Sequence, residues 1–320
     1  PSPKAIHAVK EALSGLNRYP DGSAYYLRQA ISKRFHIPFD QVLIGNGSNE
    51  IIELAVRTFL LPFEKAVQPF PTFLVYEKMV AAQQGIMVNV PLKGFGVDLD
   101  AIGKSVEEDV KLIFINNPNN PTGTYITHDE MEAFLRRLPK EVVVILDEAY
   151  IEFSTRQDIA NGLELLREFP NLIVLRTFSK LYGLAGLRIG YGFTSQRLAD
   201  YMNRVRQPFN VNTLAQKAAL AALEDEEFVN RTIALVRTEL AFLKDGLDKL
   251  GLRHFPTQTN FFLVEVGDAD RVYKALLQEG VIVRSMSGFG LERFIRISVG
   301  LREENIKFLN ALKRVLGIGV

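Results

Sequence analysis

The sequence predicts an α/β protein: a large domain with a mostly parallel sheet covered by helices, followed by a smaller α+β domain. Two observations carry this. Through the middle of the chain, short and continuously apolar runs alternate with longer segments of helical spacing, which is the signature of strands covered on both faces. Near Asn212 the character changes, and a long pattern of Ala, Leu and charged residues runs to Gly251 before strands resume. The large domain is expected over residues 22–225, and the small one over 226–320 together with 1–21. No Gly- or Ser-rich linker separates them, so a helix is expected to cross the boundary.

Each element has its own warrant. "IGNGSNEIIELAVRTFL" (Ile44 to Leu60) reads as a short strand, a glycine turn and a helix. "KLIFIN" (Lys111 to Asn116), "VVVILD" (Val142 to Asp147), "NLIVLR" (Asn171 to Arg176) and "RIGYGF" (Arg188 to Phe193) are too uniformly apolar to have a wet face, and read as buried strands. Between them, "HDEMEAFLRRL" (His128 to Leu138) and "IANGLELLREF" (Ile159 to Phe169) repeat apolar residues at helical intervals, so the sheet should be largely parallel. In the C-terminal part "NFFLVEV" (Asn260 to Val266), "VIVRS" (Val281 to Ser285) and "RFIRISVG" (Arg293 to Gly300) read as strands. An amphipathic helix, "REENIKFLNALKRVLG" (Arg302 to Gly317), follows them.

Composition removes several classes of function. In 320 residues, 38 Lys and Arg against 37 Asp and Glu leave a net charge of +1, so neither a nucleic acid nor an anionic membrane surface is an expected partner. There is no cysteine, hence no disulfide, thiolate metal site or cysteine nucleophile, which accords with a cytoplasmic setting. The histidines His7, His36, His128 and His254 have no metal-ligand spacing, and no metal is expected. No apolar run reaches the roughly 18 residues a membrane helix needs. The chain opens on "PSPKAI" without Met, and a native segment ahead of it is expected.

In open α/β sheets ligands bind outside the carboxyl ends of the strands, and polar clusters stand at three predicted strand ends. "NNPNNPTG" (Asn116 to Gly123) follows "LIFI", Asp147 ends "VVVIL", and "TFSK" follows "LIVLR". Singly, each reads equally well as a helix cap or a turn. Together they leave a lysine after a buried strand unexplained. "TFSKLYGLAGLRIGY" (Thr177 to Tyr191) sets Lys180 and Arg188 eight residues apart in an otherwise apolar, glycine-rich run. A desolvated lysine beside another cation is an amine nucleophile for a carbonyl, and a guanidinium fork with the hydroxyls of Thr177 and Ser179 suits a phosphate. Backbone N–H groups at Gly47, Ser48 and Asn49 open a helix and suit the same anion. An aldehyde-binding lysine, a phosphate cradle and a carboxylate, Asp147, to keep a ring nitrogen protonated are the demands of pyridoxal 5'-phosphate.

In the order and approximate spacing of "NNPNNPTG", "DEAYIEF", "RTFSK" and "GLAGLRIGY", the chain resembles the fold-type I pyridoxal-phosphate aminotransferases over essentially its whole length. The resemblance implies that Lys180 bonds the cofactor aldehyde, that Asp147 pairs with the pyridine nitrogen, and that Asn120 and Tyr150 bond the phenolic oxygen. Thr177, Ser179 and Arg188 are then phosphate ligands. In "PFPTFLVY" (Pro69 to Tyr76) the ring over the cofactor face is Phe73, where many relatives carry Tyr. Tyr19, in "LNRYPDG", would reach the phosphate in the neighbouring subunit, which implies a homodimer. Arg296 matches the arginine that takes a substrate carboxylate, and Arg284 is the candidate for a substrate phosphate. Amino and keto-acid substrates and a two-half-reaction amino transfer follow, and the tight turn implies a cis bond before Pro121. The stretch that usually precedes "GPSP" in the family, with its Asn and Tyr, is missing.

Three other readings compete. A dinucleotide-binding dehydrogenase would take "GNGSNE" as its glycine fingerprint, but Glu50 replaces the third glycine. A non-catalytic cofactor-binding module would keep Lys180 and Asp147 and have no use for Arg284 and Arg296. Within the fold, aromatic or broad-specificity amino transfer, or decarboxylation of a phosphothreonine, would use the same motifs.

Overall fold

The computed structural model describes residues 1–318. Its large sheet has seven strands: β1 (Val42–Gly45), β2 (Lys65–Phe70), β3 (Ile86–Pro91), β4 (Val110–Asn116), β5 (Val143–Asp147), β6 (Leu172–Thr177) and β7 (Gly190–Thr194). They lie in the order β1-β7-β6-β5-β4-β2-β3. Only β7 runs against its neighbours, β6 and β1, so the other six strands end at one edge of the sheet. At that edge Asn116 is level with Asp147, and Gly190 is level with both Thr177 and Gly45.

Side-chain parity shows why these runs are apolar throughout. Ile113, Ile115, Val144, Leu146, Leu172 and Val174 enter the core on one face, while Leu112, Phe114, Val143, Ile145, Ile173 and Leu175 enter the core on the other. With both faces covered, the interior positions of these strands are apolar except where a polar side chain finds a buried partner, as Arg176 does in Glu148. Helix Ser48–Phe59 supplies Ile51, Ile52, Ala55 and Val56 to the second face. Helices Tyr25–Phe35, His128–Arg137 and Thr213–Leu223 cover the first. Truncating any of the fully buried aliphatics to Ala would cost about 2–5 kcal/mol.

The small sheet is antiparallel, with β8 (Phe261–Glu265), β9 (Arg284–Ser285) and β10 (Phe294–Ser298) in the order β8-β10-β9. Helices Ala269–Gln278 and Arg302–Leu316 pack on it. One helix, Glu226–Lys249, serves both cores: Val229 and Val236 join the first, and Leu243 and Leu247 the second. Asp225 caps its start by accepting from Phe228 N at 3.3 Å.

Three sequence expectations are corrected. The strand expected from Arg188 begins at Gly190, because Arg188 adopts a left-handed conformation (φ 55°) and closes a turn instead. The helix expected over Ile159 to Phe169 shrinks to Gly162–Leu165, since Ile159 bridges Thr127 and Ala160 N donates to Ile126 O. Those residues are held by a neighbouring strand-like segment, and propensity yields to that pairing. The strand expected over Val281 to Ser285 keeps only its last two residues.

Candidate active site

The carboxyl ends of β4, β5 and β6 face a cavity of about 200 Å³ lined by Ser48, Asn49, Phe73, Asn116, Asn120, Asp147, Ala149, Tyr150, Thr177, Ser179, Lys180, Ala185 and Arg188. Ten of the fourteen residues singled out in the sequence are thereby brought together. The edge geometry of the sheet does this, since each polar cluster begins where a buried strand runs out.

The loop after β4 is built by its asparagines. Asn116 donates to the Asp147 carbonyl at 2.8 Å and accepts from Asn120 N at 2.8 Å, which couples the loop to β5. Asn117 brackets Ile126 through both its N–H and its carbonyl, and Asn119 accepts from the Thr72 hydroxyl at 2.9 Å. Asn117 and Asn119 are thus committed to the scaffold, while Asn116 and Asn120 line the cavity. The bond before Pro121 is cis, as are those before Pro71 and Pro118.

Asp147 is 3% exposed. Its Oδ2 accepts from the Tyr76 hydroxyl at 2.8 Å and its Oδ1 from Ala149 N at 3.1 Å. Burial pushes its carboxyl up to about 6, while Tyr76, Ala149 N and the Lys180 charge pull toward the ionised form and Glu148 opposes them. At neutral pH the carboxylate is therefore mostly charged. Lys180 differs from expectation: it is exposed rather than desolvated, with Nζ 5.3 Å from the centre of the Tyr150 ring. It lies beyond the end of β6, in the glycine-rich loop that leads to Arg188.

At the other end of the cavity lie the anion-binding groups. Gly47 (φ 76°) caps helix Ser48–Phe59 without offering a side chain to its first turn, which leaves backbone N–H groups for a ligand. Gly47 itself is behind the lining: a methyl group there would come within 2.6 Å of Arg188 Nη2. Gly190 is tighter still, since a Cβ would stand 2.3 Å from Ser48 N. Thr177 Oγ1 accepts from Ser179 N at 3.0 Å, and Arg188 Nη1 donates to Ala185 O at 2.9 Å. Hydroxyls, a guanidinium, a helix start, a buried carboxylate and an exposed lysine amine lining one cavity suit an aromatic aldehyde phosphate.

Arg296 on β10 reaches this cavity from the small sheet by donating to Asn120 Oδ1. Its guanidinium lies 4.9 Å from the Phe261 ring centre, and Phe261 in turn meets Tyr150 edge-on at 5.2 Å. Arg284 is exposed on β9, level with Arg296. Tyr19 stands apart from its own chain's cavity: it is 83% exposed and stacked on Phe209 at 4.9 Å. Tyr76, Asn116 and the buried pair Glu148–Arg176 (2.9 Å) were not singled out. Tyr76 and Asn116 end or open stretches read for other residues. Arg176 carried one usable signal, a cation inside an otherwise apolar strand.

Among the described residues no helix is long and apolar enough to cross a membrane, and no group of three His, Asp or Glu side chains could hold a metal ion. The family model described as aminotransferase class I and II matches residues 1–312. The chain is 46% identical to a histidinol-phosphate aminotransferase of Methylobacillus flagellatus, across 98% of this chain and 85% of the relative. It is 47% identical to one from Anaeromyxobacter sp., across 99% and 88%. The crystal structure of histidinol-phosphate aminotransferase from Sinorhizobium meliloti in complex with pyridoxal-5'-phosphate superposes with a TM-score of 0.94 at 28% identity, across 99% of this chain and 88% of that one.

Proposed function

The chain belongs to aminotransferase class I and II, and is a pyridoxal-phosphate-dependent aminotransferase; from that premise we propose that it transfers the amino group of L-histidinol phosphate to 2-oxoglutarate in histidine biosynthesis. The observation that carries the choice of substrate is the register of Arg284 opposite Arg296 on two antiparallel strands, with Arg296 bonded to the cavity-lining Asn120. Like charges directly opposite are unfavourable, so the pair favours a dianionic ligand. The names borne by relatives at 46% and 47% identity support the same substrate.

When bound, the cofactor supplies an electrophilic carbon and an electron-withdrawing ring that accepts the electron pair of the substrate's α-carbon. The residues divide the rest of the work. Ser48, Asn49, Thr177, Ser179 and Arg188 would hold the phosphate, with Gly47 and Gly190 letting Arg188 and the start of helix Ser48–Phe59 pack closely behind it. Asp147, ionised, takes the ring nitrogen and keeps it protonated. Asn120 and Tyr150 hold the phenolic oxygen, and Phe73 covers one face of the ring. Lys180 Nζ would be the amine that bonds the cofactor's aldehyde carbon and, as a free amine, would take the substrate's α-proton as general base. Arg296 holds a carboxylate and Arg284 a phosphate. Tyr19, exposed and absent from the lining of its own chain's cavity, would serve the cofactor phosphate of a second subunit in a cytoplasmic homodimer.

Borohydride reduction of the holoenzyme followed by peptide mapping should place the label on Lys180, and a label on another lysine would remove the assignment. Incubation with histidinol phosphate and 2-oxoglutarate should give glutamate. Release of carbon dioxide from a phosphothreonine, without glutamate, would instead favour decarboxylation.

A further inference from the structure

We infer that Tyr76 is a positioning residue for Asp147: its hydroxyl fixes the carboxylate in place and keeps it ionised, while its ring seats Phe73 at the cavity wall. The inference rests on the role of Asp147 given under Proposed function. Tyr76 is fully buried in helix Val75–Ala82. Its ring stacks on Phe114 of β4 at 4.7 Å and 11°, and meets Phe73 edge-on at 5.5 Å and 83°. Both contacts are apolar, so the one polar atom of the side chain is aimed at Asp147 Oδ2, 2.8 Å away.

The direction of that bond follows from chemistry. A carboxylate only accepts, so the phenol donates, and a donor to the charged form favours that form. Burial, and then the Asp147 charge, raise the Tyr76 phenol well above its usual value, so it remains a donor at every working pH. The other charged or titratable groups that bear on Asp147 are Lys180, Glu148 and, through Tyr76, Tyr150. Glu148 is already bonded to Arg176 and to Gly162 N. Lys180 is exposed and bears on Asp147 only through its charge, with no hydrogen bond between them. Tyr76 and Ala149 N are the two groups that hydrogen-bond the Asp147 carboxylate among the described residues.

Tyr76→Phe keeps the ring and both aromatic contacts and deletes only the donor. The Asp147 carboxyl can be followed by carbon-13 NMR of the full chain, with its signal assigned by its disappearance in Asp147→Asn. Its midpoint should rise by about one unit or more in Tyr76→Phe. In the holoenzyme kcat should fall roughly 10-fold to 150-fold, with KM for the amino substrate little changed and the acidic limb of the kcat profile moved upward. A site-specific 3-fluorotyrosine at position 76 preserves packing and strengthens the donor, and should move the midpoint downward. An unmoved Asp147 midpoint in either variant overturns the inference, as does a moved midpoint with unchanged kcat. Full kcat in Asp147→Asn would remove the underlying role of Asp147 instead, whatever Tyr76→Phe does.

Discussion

The Arg296 guanidinium donates to the amide oxygen of Asn120 across 176 residues of sequence, and this bond ties the small sheet to the loop after β4. Arg296 Nε is a buried N–H without a hydrogen-bond partner among the described residues. Burial acts against the protonated form of Arg296, Tyr150 favours it, and the charge of Arg284 opposes it less strongly; under the proposed function a substrate carboxylate would satisfy the Nε–H. Arg296→Lys keeps a charge but loses the planar fork. The expected loss is roughly 10-fold to 150-fold in kcat/KM for 2-oxoglutarate, read from single half-reaction kinetics.

Asp147→Asn should trade activity against stability. Removing a positioned charge opposite the ring nitrogen should lower kcat about 100-fold or more. The cofactor-free chain should respond in the opposite sense. The folded state raises this carboxyl from 3.8 to about 6, so it binds a proton more tightly than the unfolded state does. Stability from this group is fully present below the unfolded value and is lost as pH rises through about 6, leaving a penalty of up to about 3 kcal/mol at pH 8. Asp147→Asn should therefore be more stable than the parent at pH 8, with the difference shrinking at pH 5. Urea titrations at the two pH values check it, and a difference that grows toward pH 5 would contradict it.

Gly190→Ala tests the phosphate end. The new methyl would lie 2.3 Å from Ser48 N and 2.7 Å from the Gly47 carbonyl carbon, both backbone atoms that cannot swing aside. The helix start must shift, and affinity for pyridoxal phosphate should fall by about 10-fold or more. Gly186→Ala, which meets nothing within 4 Å, should leave affinity unchanged.

Glu148→Ala probes the buried support behind the site. The Glu148 carboxylate accepts from Arg176 at 2.9 Å and from Gly162 N at 2.7 Å. Burial is the largest single influence and opposes the charge on Arg176, but Glu148, Tyr191 and Glu152 together more than offset it and hold the guanidinium protonated. Deleting one member strands the other, at a cost of about 3–5 kcal/mol in unfolding free energy.

The sheet and the cavity-facing residues were legible because both follow from position. A strand buried on both faces must be apolar until it ends, so Asp147, Asn120 and Lys180 stood out at the ends. Three kinds of feature were not legible. The reversal of β7 and the left-handed turn at Arg188 depend on the backbone path between strands, which periodicity does not record. The helix at Ile159 to Phe169 lost its first turn to a pairing with Ile126 and Thr127, a contact between distant segments. Tyr76 looked like an ordinary buried aromatic, since only the fold shows that its hydroxyl meets a carboxylate 71 residues away.

The measurement closest to the proposed function is steady-state kinetics with histidinol phosphate and with phenylalanine, each against 2-oxoglutarate, on the parent and on Arg284→Ala in matched preparations. Histidinol phosphate should be preferred by the parent, and its kcat/KM should fall roughly 10-fold to 150-fold in Arg284→Ala while that of phenylalanine changes far less, because its ring makes no use of the charge. Equal losses for both substrates would make Arg284 structural, and a parent that prefers phenylalanine would contradict the proposed substrate outright.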